Sequence, residues 1–322
     1  MTLAASDVGA QSKITANGIL KGDGSGNITA ANETEVKLVS LPNICNPNLL
    51  DNWYFGNPVN QRGQTSYAGT YIYTIDRWKA NDTITVVDGG IKIKRITSAE
   101  LFCQPLSDEL LNAIAGKVVT CSVLTTEGLF SVTSSCPTDV NAKWDTDNAV
   151  QGNLVVDIYG PNNGRKKFRF YSLVDGTEAT IIAVKLELGS QQTLAHRENG
   201  VWVLNEIPDY GEQLRKCQRY YWRSWRGEKT VNTAILGESF PSNYRYRITG
   251  FSYPVEMREK PSIIISGTNS VGSVNDWSND AEIACGAKAR YYDNQRCIAV
   301  SSDVALTDWE YVYYFVEASA DL

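Results

Sequence analysis

Histidine is almost absent from this chain of 322 residues, where His196 stands alone. Its scarcity excludes metal sites built on several imidazoles. It also leaves a single residue through which Ser–His–Asp or Cys–His catalysis would have to run. His196 lies in the polar stretch TLAHRENG, read as a solvated loop after a strand. Charge is also sparse: 20% of residues are charged, and the net charge is -6. Binding a nucleic acid backbone needs a basic face, so nucleic acid is not the expected partner. No apolar run approaches the roughly 18 residues of a membrane span, and no transmembrane helix is expected. The stretch MTLAASDVGAQSK lacks a charged start followed by an apolar core, so no secretory signal is expected either. A protein of this kind acting outside a cell would arrive in an assembled particle released by lysis.

The seven cysteines (Cys45, Cys103, Cys121, Cys136, Cys217, Cys285 and Cys297) are odd in number and widely spaced, and they form no CxxC. They read as free buried thiols rather than a disulfide frame or a zinc site. Cys285 with Cys297 is the one pair left open, as partners across a hairpin. No aromatic residue precedes Trp53. Residues 1–44 carry Gly-separated apolar pairs in ITANGILKGDGSGNITAANETEVKLV and cannot bury a core alone. A disordered leader and a stalk ordered by pairing with copies of itself both remain open. GDGSGN is no phosphate loop, because it lacks the Gly-Lys-Ser/Thr ending and a following helix.

From residue 45 onward the chain is rich in Tyr (17), Trp (8), Asn, Ser and Thr, with 43% apolar residues overall. That is a β-rich, loop-rich profile with enough apolar mass for real cores. TITVVDGGIKIKRI (83–96) reads as a hairpin around Asp88-Gly89-Gly90. Ser107 is a good N-cap for a short helix over 108–115, which Gly116 ends. Strands follow at 117–125, 153–160, 168–174 and 179–189, the spacing of a jelly-roll sandwich over 45–205. IPDYGEQLRKCQRYYW predicts the strongest helix, within 206–222, with Glu212 four before Lys216 and Leu214, Cys217 and Tyr221 on one face. It packs either on its own domain or about a symmetry axis. Residues 223–322 return to strands in a second antiparallel unit. Tyr244, Tyr246, Ile248 and Phe251 are its candidate inward residues, GTNSVGSVNDWSNDAE (267–282) its long polar loop, and 311–318 its last strand, tied into a sheet. The fold expected is therefore all-β: a jelly roll and a C-terminal β tip joined by one helix, behind an extended N-terminal segment.

Three stretches carry a resemblance. The first is NLLDNWYFGNPVNQRG (48–63) followed by IDRW (75–78). The second pairs AGKVVTCSVLT with ATIIAVKLELGSQQT, which resemble the Gly-Lys and "LE-G" strands of carbohydrate-binding-module-like jelly rolls. The third combines PDYGEQLRKCQRYYW, YPVEMREKPSI and ASADL. Together they resemble tail-fibre or receptor-binding proteins of bacteriophages and prophages, and ASDVGA…ITANGILKGDGSGN is similar to the particle-proximal part of such fibres. The resemblance implies a virion protein that is homotrimeric, attached to other virion proteins through residues 1–44, and touching a host surface polysaccharide with a C-terminal tip. The chain is short for a long fibre and lacks shaft repeats. A compact spike, a short fibre and a head fibre or connector without receptor binding all stay open.

The candidate contacts with sugar are aromatic, because apolar C–H faces of sugars stack on rings while polar neighbours read hydroxyls. Trp277 with Asp276 and Asn279, Tyr291-Tyr292, and Trp225-Arg226 fit that description. Trp53 and Trp78 are expected in the core. A cleaving spike would need paired carboxylates, for which Asp276 and Asp280 are the candidates. Depolymerising fibres are longer repeats of short strands, and none is visible. No enzyme activity and no cofactor are therefore expected. A structural calcium at Asp145, Asp147 and Asn148 in WDTDNA is the one metal left open, without EF-hand spacing.

Overall fold

The computed structural model describes residues 20–22, 28–30, 45–225, 228–240, 246–293, 296–303 and 311–321. The protein is all-β. In the leader, β1 (Leu20–Gly22) and β2 (Ile28–Ala30) pair antiparallel with each other, and the rest of 1–44 lies outside the described residues.

The larger unit contains β3 (Ser66–Tyr73), β4 (Lys79–Val87), β5 (Gly90–Lys94), β6 (Glu100–Pro105), α1 (Asp108–Ile114), β7 (Val118–Thr125), β8 (Gly128–Ser135), β9 (Trp144–Asp145), β10 (Ala149–Gln151), β11 (Leu154–Gly160), β12 (Lys167–Tyr171) and β13 (Glu178–Leu188). Hydrogen bonds link them in the order β10-β11-β12-β6-β4-β5-β13-β7-β8, with β3 on β4 and β9 on β11. The two ends of that path nearly close: Thr125 Oγ1 donates to Gln151 Oε1 at 2.6 Å, and Ser134 Oγ to the Asp147 carbonyl at 3.3 Å. The result is a sandwich around one core. The β4–β5 turn falls at Asp88-Gly89, with Gly89 at φ +75°, as the sequence predicts. Ser107 caps α1 by accepting from Leu110 N–H.

The stretch 48–55 runs beside β13, through Leu49 N–H to Leu186 O (2.8 Å) and Phe55 N–H to Ile182 O (2.8 Å). It thereby delivers Trp53 and Phe55 to the core, where Trp78 is fully buried. Trp78 stacks on Phe102 at 4.8 Å and meets Phe55 edge-on at 5.1 Å, and its indole N–H donates to Asn52 O at 3.0 Å. Beyond it, β14 (Ala195–Glu198) and β15 (Val201–Leu204) form a separate hairpin. His196 therefore lies on a strand, not in a loop.

The predicted helix over 206–222 is shorter. α2 spans Tyr210–Gln218, capped by Asp209 and stapled by Glu212–Lys216 at 3.4 Å. Tyr221 leaves the helical face because β16 (Tyr221–Arg223) pairs with a later strand. α2 packs on its own chain: buried Gln213 accepts from Asn52 N–H at 2.9 Å.

The smaller unit adds β17 (Ile235–Phe240), β18 (Tyr246–Ser252), β19 (Ser262–Ser266), β20 (Ser273–Asp276), β21 (Glu282–Ala284), β22 (Lys288–Asp293), β23 (Cys297–Ser302) and β24 (Tyr311–Ser319). The path is β21-β20-β24-β17-β18-β23-β22, and β24 also takes β16 and β19. Val312, Tyr314, Val316 and Ala318 of β24 face a second core with Ile248, Met257, Ile265 and Val274. Ile248 is inward as expected and Phe251 packs at the margin, while Tyr244 and the side chain of Tyr246 lie outside what is described. The long polar loop expected at 267–282 is instead largely the β20–β21 hairpin. Ser273 and Asn275 can be buried there because they are paired: Thr268 N–H donates to Asn275 Oδ1 (2.8 Å), Asn275 Nδ2 to Asp280 O (3.0 Å) and Ser273 Oγ to Glu282 (2.5 Å). All seven cysteines are unbridged, including Cys285, which directly follows β21, and Cys297 on β23, a strand that is not a neighbour of β21 in the sheet. Among the described residues no helix is long and apolar enough to cross a membrane.

The two units meet at a buried charge cluster. Residues 74–78 make a tight turn, with Thr74 N–H to Trp78 O at 2.9 Å and Arg77 at φ +72°. The turn aims Asp76 and Arg77 at the junction. Arg62 bonds Asp76 (3.2 Å) and Asp321 (2.7 Å) and lies 3.7 Å from the Tyr221 ring centroid. Arg77 bonds Asp51 (3.1 Å) and stacks on Tyr220 at 3.4 Å. Gln61 Nε2 donates to Tyr221 O (2.7 Å), and Ala320 N–H to Tyr220 O (2.7 Å).

Two outcomes follow from this packing. Trp78→Ala should cost about 3–5 kcal/mol in urea unfolding, the range for emptying a large buried aromatic site. The second concerns pH. Burial lifts the Asp76 carboxyl from 3.8 to about 7, against the pull of Arg62 and the Gln61 bonds, and burial also raises Asp321. A folded value above the unfolded one means stability is full below the unfolded value and declines as pH rises through the folded one. The melting temperature should therefore climb by a few degrees as pH falls from 8 to 5, and Asp76→Asn should flatten most of that slope in calorimetry. An unchanged slope would contradict the assignment.

Candidate functional site

The sequence-predicted contacts separate into three groups. Trp277 and Trp225 are brought onto one row of β24. The odd residues of that strand face away from the second core. Along them Trp225 meets Phe315 edge-on (5.9 Å), Phe315 meets Tyr313 (6.1 Å) and Tyr313 meets Trp277 (6.3 Å). Phe315 and Tyr313 are buried under this layer, whereas Trp277 is 47% exposed. Register puts Leu236 opposite Tyr313, and Leu236 and Tyr311 are exposed beside it. Trp277, Tyr311 and Leu236 thus form an exposed apolar patch.

Asp276, Asn279 and Asp280 fold the turn that presents Trp277. Asp276 Oδ1 accepts from Ser278 N–H (2.7 Å) and Oγ (2.6 Å), Asn279 Oδ1 accepts from Ala281 N–H (2.8 Å), and Asp280 Oδ1 accepts from the Tyr313 hydroxyl (3.1 Å). The Ser278 bonds hold the Asp276 carboxyl below its ordinary range. A carboxylate held ionised by its own turn is a poor general acid. Tyr291 and Tyr292 lie on β22, four strand steps from β24, and their side chains are outside what is described. Arg226 also lies outside the described residues.

His196 Nδ1 sits 2.6 Å from Asn205 Oδ1, exposed. Among the residues proposed for calcium, Asp145 is engaged by Lys143 at 2.6 Å, and Asp147 offers its carbonyl to Ser134. Among the described residues no group of three or more His, Cys, Asp or Glu could hold a metal ion.

A second array, not anticipated from the sequence, covers the outer face of β3-β4-β6-β12-β11. One row crosses five strands: Tyr73 opposite Lys79, Lys79 opposite Cys103, Cys103 opposite Arg169, and Arg169 opposite Asp157. Arg169 grips Asp157 at two points (2.8 and 2.9 Å) and lies 3.7 Å from the Tyr159 centroid and 4.6 Å from that of Tyr171. Burial opposes its charge, but Asp157 outweighs that and raises the guanidinium further. Lys167 bonds Glu100 at 2.6 Å and approaches the Tyr71 ring at 5.1 Å. Lys79 Nζ lies 4.4 Å from both the Tyr71 and Tyr73 centroids.

Tyr71 owes its place to a bulge. The β3–β4 register shifts between Gly69 and Ile72, and Tyr71 takes φ +55°, with its N–H held by Asn81 Oδ1 at 2.7 Å. A bulky residue in the left-handed region is strained, and bulges re-aim side chains. Here the ring stands 40% exposed over two lysines. The signal that could have shown this face is the alternation Lys167-Phe168-Arg169-Phe170-Tyr171 beside Asp157-Ile158-Tyr159, with phenylalanines inward and charge with tyrosine outward. Two polar clefts lie elsewhere in the larger unit, of about 370 Å³ near Thr125, Gln151 and Glu178 and about 440 Å³ near Asp108, Asn141 and Arg165. Neither is lined by an aromatic ring.

Comparison with known protein families, with curated proteins and with solved structures finds no match for this chain.

If Trp277 is presented rather than packed, Trp277→Ala should leave the melting temperature within about 2 °C of wild type. Ser278→Ala with Asp276→Ala should lower it by opening the turn. A large loss with Trp277→Ala would make the indole a packing residue.

Proposed function

We propose that this chain is a bacteriophage or prophage virion protein, a fibre or spike, that binds a host cell-surface glycan during adsorption. The observation that carries the reading is the five-strand face on which Tyr71, Tyr73, Tyr159 and Tyr171 alternate with charged groups. Rings and hydrogen-bonding heads at sheet spacing suit the alternating apolar and hydroxyl faces of a saccharide chain. The Trp277 patch is a second contact of the same chemistry. Binding rather than cleavage suits the tip, since Asp276 and Asp280 are spent on its turn. Three copies assemble, with the segment 1–44 joining other virion proteins, as the resemblance implies.

On an array of bacterial surface polysaccharides, wild-type protein should retain at least one. Tyr71→Ala and Tyr159→Ala should each weaken it about tenfold, or about 1.4 kcal/mol, with an unchanged melting temperature. Light scattering should give three times the chain mass. Retention of no polysaccharide would favour a structural virion role, and unaltered affinity in both variants would remove the tyrosine face as the site.

A further inference from the structure

Within the tyrosine face, the charges are not equally satisfied. Arg169 is saturated by Asp157, and Lys167 by Glu100. Lys79 is half-buried and forms no ion pair among the described residues. Its nearest neighbours are rings, a neutral thiol and other cations, with the Asp321 carboxylate, already bonded to Arg62, acting from further off. Burial pushes the Cys103 thiol up to about 12, so it carries no charge to offer. Lys167 stands across the Tyr71 ring, and Arg165 is exposed close enough to be felt by both Lys79 and Tyr71. Burial, with repulsion from Arg165 and Lys167, lowers the ammonium's affinity for its proton despite the opposing pull of Asp321. In a chain of net charge -6, this face concentrates Lys79, Lys143, Arg165, Lys167 and Arg169 against Glu100, Asp145 and Asp157.

We propose that the face selects an anionic polysaccharide. A negatively charged substituent of the sugar seats at Lys79, between Tyr71 and Tyr73, while the sugar ring stacks on the exposed Tyr71. This rests on the glycan-binding reading above and adds the charge of the ligand to it. Several observations point the same way. The strained backbone at Tyr71 holds a ring over a cation that has no carboxylate partner among the described residues, the kind of strain that collects at ligand sites. A partly desolvated ammonium gains more from an arriving anion than an exposed one does. The Tyr71 hydroxyl, pushed up to about 12 chiefly by burial, stays protonated and able to donate to that anion. Uronate carboxylates and phosphodiester groups share this chemistry.

The test is an array of acidic and neutral bacterial polysaccharides probed with the full chain at 0.05 and 0.5 M salt. Retained polysaccharides should be acidic. Binding should fall about tenfold or more at the higher salt and by a similar factor in Lys79→Met, while Lys79→Arg should keep most of it. Melting temperatures of both variants report that the fold is intact. Carboxyl reduction of the bound polymer abolishing retention identifies a carboxylate, and loss only on removal of phosphate identifies a phosphate. Retention of neutral polymers with no salt or Lys79→Met effect overturns the proposal and leaves glycan binding standing. Retention of nothing overturns both.

Discussion

The buried cluster of Arg62, Asp76 and Asp321 sets the frame for everything else in this fold. Two carboxylates from distant parts of the chain share one guanidinium, which also lies flat on Tyr221. Removing such charges from water is expensive, and their mutual attraction offsets that only with near-complete pairing. The cluster therefore contributes little net stability. What it contributes is discrimination. Shifting the end of β24, which leads into Asp321, would strand a charge, and breaking a buried pair typically costs about 3–5 kcal/mol. Arg77 repeats the device a few residues away, with Asp51 and Tyr220. The stretch IDRW, one of the marks of resemblance, is thus a turn whose Asp and Arg lock the junction and whose Trp anchors the core.

That arrangement explains how one aromatic-rich segment serves two purposes. Between residues 48 and 80, Trp53, Phe55, Tyr67 and Trp78 are buried, whereas Tyr71 is exposed and Tyr73 half-buried on the outer face. Strand alternation would sort them automatically, but the bulge at 69–72 overrides it and turns Tyr71 outward. The core rings hold β4 and β6 against β12 through the Trp78–Phe102–Phe170 stack.

The features readable from the sequence were those encoded locally. Asp88-Gly89 marks its turn because Gly tolerates positive φ, Ser107 marks α1 by capping, and the last strand shows its Val and aromatic run. The β20–β21 hairpin escaped because Ser273 and Asn275 are polar, and only their partners at 280 and 282, reached by the fold, make them fit for burial. α2 was overextended because Tyr221 continues the helical stripe while its backbone is claimed by β24. The tyrosine face escaped for a related reason. Its members come from five strands, and each alone reads as an ordinary amphipathic strand. Trp277 and Trp225 were legible as outliers in polar surroundings, but the row that joins them runs through Phe315 and Tyr313, which read only as part of the last strand.

Cations over tyrosine rings recur throughout the molecule, and their carboxylate partners tell structural uses from the other kind. Arg62 and Arg77 are each paired with a carboxylate and buried where the two units meet, out of reach of an outside group. Arg169 is saturated on the open face, where it stiffens Tyr159 and Tyr171 into a platform. Lys79 shares their geometry and, among the described residues, lacks their carboxylate. Among the described residues an acid stands beside every other cation that lies over a tyrosine ring, and Glu100 is one strand from Lys79 with Asp157 three strands away, so the sheet does not lack the means to neutralise this one. The unsaturated member of an otherwise saturated series is where a ligand's charge has the most to add.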